Sequence, residues 1–361
     1  MLKLIHGADF HLDSPFSGLP PEKAALRRAE LRRLPARLAE LAQKEGAQLV
    51  LLSGDLFDSE RIYRETAEAL AQALGSIPCP VFIAPGNHDC YTPASPYAAL
   101  SWPENVRIFT SDRIESVDLP ELGCAVWGRA FTSPQQSASP LAGFRAPRQD
   151  GRLHLMVLHG DVDGGDSYGP ITREEIAASG LDYLALGHIH LPSGLRREGD
   201  TFWAYPGCPE GRGFDEEGDR GVLCLEAEPG EVRARFVPLC TRRYRILTAD
   251  ITGTDPLSAI RSALPDDPGG DIYRIRLTGQ GNPPDLAALE QALAPDLFGL
   301  SLKDCTRLPR GLWDRREEDS LTGLFLQLLW EKYSADPDDP AVRQAAVFGL
   351  AALERGEDPF Q

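Results

Sequence analysis

Short apolar runs that end abruptly in polar turns recur along this chain. In the stretch from Val50 to Asp58, VLLSGDLFD, residues Gln48 to Leu52 are apolar or β-prone enough for a buried strand, and Gly54 lets the backbone turn sharply after it. Leu2 to Ala8 runs into Asp9-Phe10-His11, and Val81 to Ala84 into Pro85-Gly86-Asn87-His88-Asp89. Leu155 to Leu158 ends in His159-Gly160-Asp161, and Tyr183 to Leu186 in Gly187-His188-Ile189-His190. Five of the seven histidines fall in these turns. His6 and His154 lie inside strands and read as satisfied core or surface residues.

Helical periodicity fills the intervals. Glu22 to Glu45 predicts a helix bent or divided at Pro35, and Ile62 to Leu74 an amphipathic one. Tyr91 to Pro103 reads as a loop beside the site. Val106–Thr110, Ile114–Leu119 and Cys124–Phe131 predict a run of antiparallel strands, and Thr132 to Gly151 a mobile Pro/Ser/Gln-rich connection. Thr201–Tyr205, Gly221–Glu228 and Val232–Leu239 continue as strands. The expected architecture over residues 1–240 is α/β, a two-sheet sandwich flanked by helices.

The pattern changes near Cys240 to Arg243. Strands at Arg245–Ile251, Ile272–Thr278 and Gly299–Leu308 alternate with helices at Leu257–Leu264 and Leu286–Leu293, predicting a small α+β unit over residues 241–311. A polar stretch, Pro309 to Asp319, leads to helices at Leu321–Tyr333 and Ala341–Leu353, a short helical tail over 312–361. The first of these carries so much Leu and Phe that it must dock on its own chain or on a partner.

Composition adds four constraints. The chain has 361 residues, more than one core usually serves, with 42% hydrophobic and 25% charged residues. No apolar stretch is long enough to span a bilayer and no signal peptide precedes Asp9, so the expectation is a cytoplasmic protein. Seven scattered cysteines without a C-x-x-C pair point to neither a disulfide framework nor a zinc knuckle. The net charge of −17 leaves neither part basic, so a phosphate-binding surface would have to be local or come from another subunit. The arginine groups at 27, 28, 32, 33 and 37, at 196, 197 and 212, and at 242, 243 and 245 read as solvated faces.

The chemistry follows from what the strand ends carry. A carboxylate at the carboxyl end of a buried strand stands where α/β sheets bind ligands, and Asp55 lies too far before the helix near Ile62 to cap it. Asp9, His11, Asp55, Asn87, His159, His188 and His190 together make a mixed oxygen and nitrogen set, unlike an all-oxygen magnesium cage or a cysteine-rich zinc site, and Mn2+ or Fe2+ suits it best. Seven ligands exceed one tetrahedral ion but suit two divalent metal ions about 3.5–4 Å apart, with Asp55 between them. Such a pair activates a water and steadies the leaving oxygen of a phosphoester. Hydrolysis is the implied reaction.

D-x-H, G-D, G-N-H-D, H and G-H-x-H, in this order at strand ends, resemble the calcineurin-like metallophosphoesterase superfamily over residues 1 to about 240. His6 to Asp13, Gly54 to Asp58, Trp102 to Val106, and Tyr205-Pro206-Gly207 with Gly211-Arg212 resemble its DNA repair exonuclease branch, SbcD and YhaO-like proteins. The resemblance implies one ion on Asp9, His11, Asp55 and His190 and another on Asp55, Asn87, His159 and His188. His88 then faces the scissile phosphate as a catalytic acid or charge donor, with Asp89 orienting it. It further implies a DNA substrate, a capping role for the small unit and an SMC-like coiled-coil ATPase as partner, with room for a homodimer and no membrane. A small-molecule phosphodiesterase or phosphatase on the same fold is the alternative, mildly favoured by the acidity, and a non-catalytic scaffold is disfavoured by the full ligand set.

Overall fold

The structure is a computed structural model that describes residues 1–59, 62–147, 151–165, 167–337 and 339–355. The chain divides into two compact units, Met1–Thr241 and Arg242–Gln361.

Two six-stranded sheets build the first unit. One runs in the order Glu231–Pro238, Gly221–Glu228, Leu2–Gly7, Leu49–Leu52, Val81–Ile83, Val106–Ile108; the other runs Arg196–Glu198, Thr201–Ala204, Tyr183–Gly187, Leu153–His159, Cys124–Gly128, Glu115–Leu119. Alternate side chains explain the layering. Leu4, Leu49, Leu51 and Phe82 share a core with Val126, Leu155, Val157, Tyr183 and Ala185 of the facing sheet. Their neighbours Ile5, Val50, Leu52 and Ile83 pack instead under helices through Leu31, Leu34, Leu38, Leu70 and Leu74. Met156, Leu158, Leu184 and Leu186 do the same beneath Ile176 and Leu141. Burial on both faces is why these strands read as unbroken apolar runs. Truncating Leu51 or Leu155, both fully buried, to alanine would cost about 2–5 kcal/mol.

Parallel pairing brings the strand ends level. Gly7 registers with Leu52, Leu52 with Ile83, and His159 with Gly187. The predicted helix before them is divided, Pro21–Leu31 and Leu34–Glu45, with Pro35 in the first turn of the second. Val106–Ile108 departs from expectation: it pairs in parallel with Val81–Ile83 and closes the first sheet, so of the three strands expected to run antiparallel only Glu115–Leu119 and Cys124–Gly128 pair that way, in the other sheet. Residues 148–150 of the predicted mobile connection lie outside the described residues.

In the second unit Tyr244–Asp250, Ile272–Thr278 and Gly299–Asp304 pair in parallel throughout, joined by helices Pro256–Ala263 and Leu286–Leu293. Asp255 and Asp285 cap these helices, accepting from the N–H groups of Ser258 and Ala288. The stretch read as polar, Pro309 to Asp319, contains a short helix, Arg310–Asp314, whose Leu312 and Trp313 pack in a core with Leu308, Leu326, Val342 and Ala346. That core includes both longer helices, Leu321–Ala335 and Pro340–Arg355.

Candidate metal centre

The turns that follow the level strand ends interlock. Asp9 N–H donates to the Gly54 carbonyl at 3.0 Å, His11 N–H to that of Asp55 at 3.0 Å, and Leu12 N–H to that of Leu56 at 2.9 Å. Asp9, His11, Asp55 and His188 all sit at positive φ, between 44° and 107°. Four non-glycine residues in that region are costly, and such strain gathers where surrounding structure serves a site. Two glycines make the approach possible. A Cβ on Gly86 would lie 2.2 Å from Asp55 Oδ1, and one on Gly54, itself at φ 82°, would lie 2.7 Å from His159 Nδ1.

All seven sequence-predicted ligands converge in two adjoining groups. His11 Nε2 and His190 Nε2 approach to 3.1 Å, with Asp9 Oδ1 4.0 Å from the latter. In the other group His159 Nε2 lies 2.9 Å, and His188 Nδ1 3.2 Å, from Asn87 Oδ1. Asp55 Oδ2 reaches into both, 3.3 Å from His159 Nε2 and 3.8 Å from His11 Nε2.

The electrostatics of this cluster call for positive charge. Burial pushes the Asp9 carboxyl up to about 6, with Asp55 adding to the push and His159 and His190 opposing it. Burial also works against ionised Asp55, but His159, His11 and His88 outweigh it and hold that carboxyl below its usual range. Although burial opposes the charge on His159, Asp55 and Asp9 lift its imidazole to about 9. Burial keeps His11 and His188 neutral, each lowered to about 4. Neutral imidazoles beside buried carboxylates are the state a divalent ion needs, and the proton on His159 supplies part of the charge such an ion would bring. The donor set therefore fits divalent metal ions.

The sequence profile of the family described as Calcineurin-like phosphoesterase matches residues 2–192. The chain belongs to that family. It is 29% identical over 341 residues, 88% of this chain and 81% of the relative, to "Uncharacterized metallophosphoesterase YhaO" of Bacillus subtilis (strain 168). It is 28% identical over 225 residues to "DNA double-strand break repair protein Mre11" of Aeropyrum pernix, covering 57% of this chain and 53%, about half, of that protein. The crystal structure of TT1561 of Thermus thermophilus aligns over 65% of this chain and 98% of its own at TM-score 0.40 and 11% identity. The chain has the metallophosphoesterase fold, and its family is one of phosphoester hydrolases that bind two divalent metals, for which the two groups of His and Asp residues here are the candidate ligands.

Within this calcineurin-like site the structure corrects one role. Asp89 does not orient His88. It is fully buried and accepts from the N–H groups of Gly86 at 2.8 Å, Asp55 at 3.2 Å, Leu56 at 2.7 Å and Phe57 at 3.2 Å, and from Tyr97 Oη at 2.5 Å. A carboxylate surrounded by five donors stitches the Asp55 turn to the Asn87 turn and has no oxygen left over for an exposed imidazole. His88 instead points Nδ1 at the main-chain oxygen of Asp58, 2.9 Å away. His6 and His154 are satisfied in the core: His6 contacts Tyr183 Oη and Ser53 Oγ, and Trp127 Nε1 donates to His154 Nδ1.

Three residues at the site escaped the sequence reading. Asp58 and Glu216 back the imidazoles of His11 and His190, and Arg212, read as part of a solvated face, has a mostly buried side chain between them. Arg27 is likewise no surface cation, being fully buried against Glu210 at 2.7 Å. Asp58 carried a signal in its place three residues after Asp55 at a strand end. Glu216 carried none.

Proposed function

We propose that this chain is a manganese-dependent DNA exonuclease or phosphodiesterase, the nuclease subunit of a DNA repair complex acting in the cytoplasm. The observation that carries the reading is the pair of ligand groups joined through Asp55. Similarity to an Mre11 supports DNA as the substrate, and the mixed oxygen and nitrogen donors support Mn2+, with Fe2+ next.

Each residue then has a stated task. Asp9, His11, Asp55 and His190 hold one ion and Asp55, Asn87, His159 and His188 the other. When bound, the ions supply Lewis acidity toward the phosphoryl oxygens and toward a water nucleophile. Exposed His88 donates Nδ1–H to the Asp58 carbonyl, which leaves Nε2 for the substrate. As the imidazolium it gives its Nε2 proton to the leaving oxygen, keeping Nδ1–H on the carbonyl, or donates from Nε2 to developing charge. Asp89 acts through the loops it ties together.

An SMC-like coiled-coil ATPase is the proposed partner, and the outward row of Leu321, Leu324 and Leu328, at 74%, 55% and 64% exposure, supports that reading. The net charge of −17 favours the second reading, a small-molecule phosphodiesterase. The deciding experiment incubates the Mn2+-loaded protein with single- and double-stranded DNA beside bis-para-nitrophenyl phosphate and cyclic nucleotides. Release of nucleotides from DNA is expected. Turnover of the small diesters with DNA left whole, in the presence of the ATPase as well as its absence, would sink the nuclease.

A further inference from the structure

The two ligand groups are supported differently from behind. His190 Nδ1 lies 2.7 Å from Glu216 Oε1, and His11 Nδ1 lies 3.2 Å from Asp58 Oδ1. Arg212 joins the two carboxylates, Nη1 donating to Asp58 Oδ1 at 3.0 Å and Nη2 to Glu216 Oε1 at 3.1 Å, while its own main-chain N–H donates to Glu216 Oε2 at 2.6 Å; Nη2 also lies 3.0 Å from His190 Nδ1, whose proton goes to the nearer Glu216 oxygen. Side-chain exposure is 5% for Glu216 and 19% for Arg212, so the arrangement is built into the wall of the site. His159 has no such support: its Nδ1 faces the main-chain oxygen of Ser53 at 2.9 Å.

We propose that Asp58, Glu216 and Arg212 are positioning residues for one of the two ions alone, holding His11 and His190 with Nε2 presented to it. Glu216, by accepting Nδ1–H, fixes the His190 tautomer with the lone pair on Nε2 and makes that nitrogen a stronger donor, whereas Asp58 stands 3.2 Å from His11 Nδ1 without a hydrogen bond to it and acts on that ring by its charge. The arginine keeps the two carboxylates from repelling each other and sets the distance between them. The 3.1 Å approach of the two Nε2 atoms is the result. The inference rests on the two-ion reading, which gives those atoms something to hold.

The test is Mn2+ binding to the metal-free protein, followed by calorimetry and by the electron paramagnetic resonance signal of the coupled pair, with no turnover needed. Glu216→Ala should weaken one ion about 10–100-fold, leave the other unchanged and replace the coupled signal by that of single ions. Glu216→Gln keeps an acceptor oxygen for His190 and should recover part of the loss. Asp58→Asn, which leaves the loop and its main-chain oxygen in place, should weaken the same ion and keeps the test open if Glu216→Ala does not fold. Equal weakening of both ions, or of neither, would overturn the proposal. Fewer than two ions on the unsubstituted protein would instead overturn the two-ion reading beneath it.

Discussion

His88 Nδ1 lies 2.9 Å from the main-chain oxygen of Asp58. A main-chain carbonyl holds this ring, so no side-chain substitution at Asp58 removes its anchor; the imidazole packs edge-on against His11 at 4.9 Å between ring centres but makes no hydrogen bond to any of the seven ligand side chains. In His88→Ala both Mn2+ ions should still bind by calorimetry while turnover on DNA falls roughly 10²–10⁴-fold. Because para-nitrophenolate needs little protonation, bis-para-nitrophenyl phosphate should be partly spared. Equal losses on both substrates would exclude a proton donor and leave charge stabilisation; a lost ion would make His88 a structural support.

Asp89 should behave in the opposite way. Five donors converge on it in a buried place, and Asp89→Ala would leave four main-chain N–H groups and Tyr97 Oη without their acceptor. The expected cost is at least about 3 kcal/mol, read as a lower urea midpoint with an unchanged slope. Tyr97→Phe removes one charged hydrogen bond and should cost about 1.5–3 kcal/mol. A stable Asp89→Ala protein whose only defect was in turnover would restore a catalytic role to this residue.

What could be read from the sequence, and what could not, divides on physical lines. Strands such as Leu49–Leu52 are buried on both faces, so their apolar runs stand out, and the turn chemistry after them marks Asp55, Asn87 and His188 directly. Val106–Ile108 has only three residues, too few for its alternation to say which strand it pairs with or in which direction, which leaves its parallel pairing unreadable. Arg212 and Glu216 are surface-type residues by composition. Only the folded chain shows them buried behind His190, since nothing in their spacing distinguishes them from a solvated helix pair.

The helical tail makes a prediction that separates partner contact from self-packing. Leu324 and Leu328 project outward, whereas Phe325 and Leu329 pack against the core of Trp313, Leu326 and Val342. Leu324→Glu with Leu328→Glu should move stability by no more than about 0.5 kcal/mol per site and leave diester hydrolysis intact, while ATPase pull-down is lost. Phe325→Ala should instead lower the unfolding midpoint. Deleting residues 312–361 confounds the two effects, because it strips Leu308 of the residues it packs with. Undiminished ATPase binding by the double variant would exclude this face as the contact.

The last prediction concerns the metal-free protein between pH 6.5 and 9. Burial works against a charged His159, yet Asp55 and Asp9 raise its folded value to about 9, above the ordinary 6.5. A group whose folded value is raised contributes stability that is fully present below its unfolded value and is lost as pH climbs through the folded one. The thermal midpoint of metal-free protein should therefore fall from pH 6.5 to 9, and His159→Gln should remove a large part of that fall, the rest including His190, which, against burial, Glu216 and Asp9 also raise. Below this window opposing effects overlap: the raised carboxyl of Asp9 favours acid, while His11 and His188, lowered to about 4, favour neutral pH. Mn2+ replaces the proton on His159, so its affinity should rise with pH across the same window. Near pH 7.5, calorimetry in buffers of different ionisation enthalpy should detect about one proton released from this residue. A metal-free midpoint that stays level or climbs from pH 6.5 to 9, together with proton-neutral Mn2+ binding, would show that His159 is already neutral when the ion arrives.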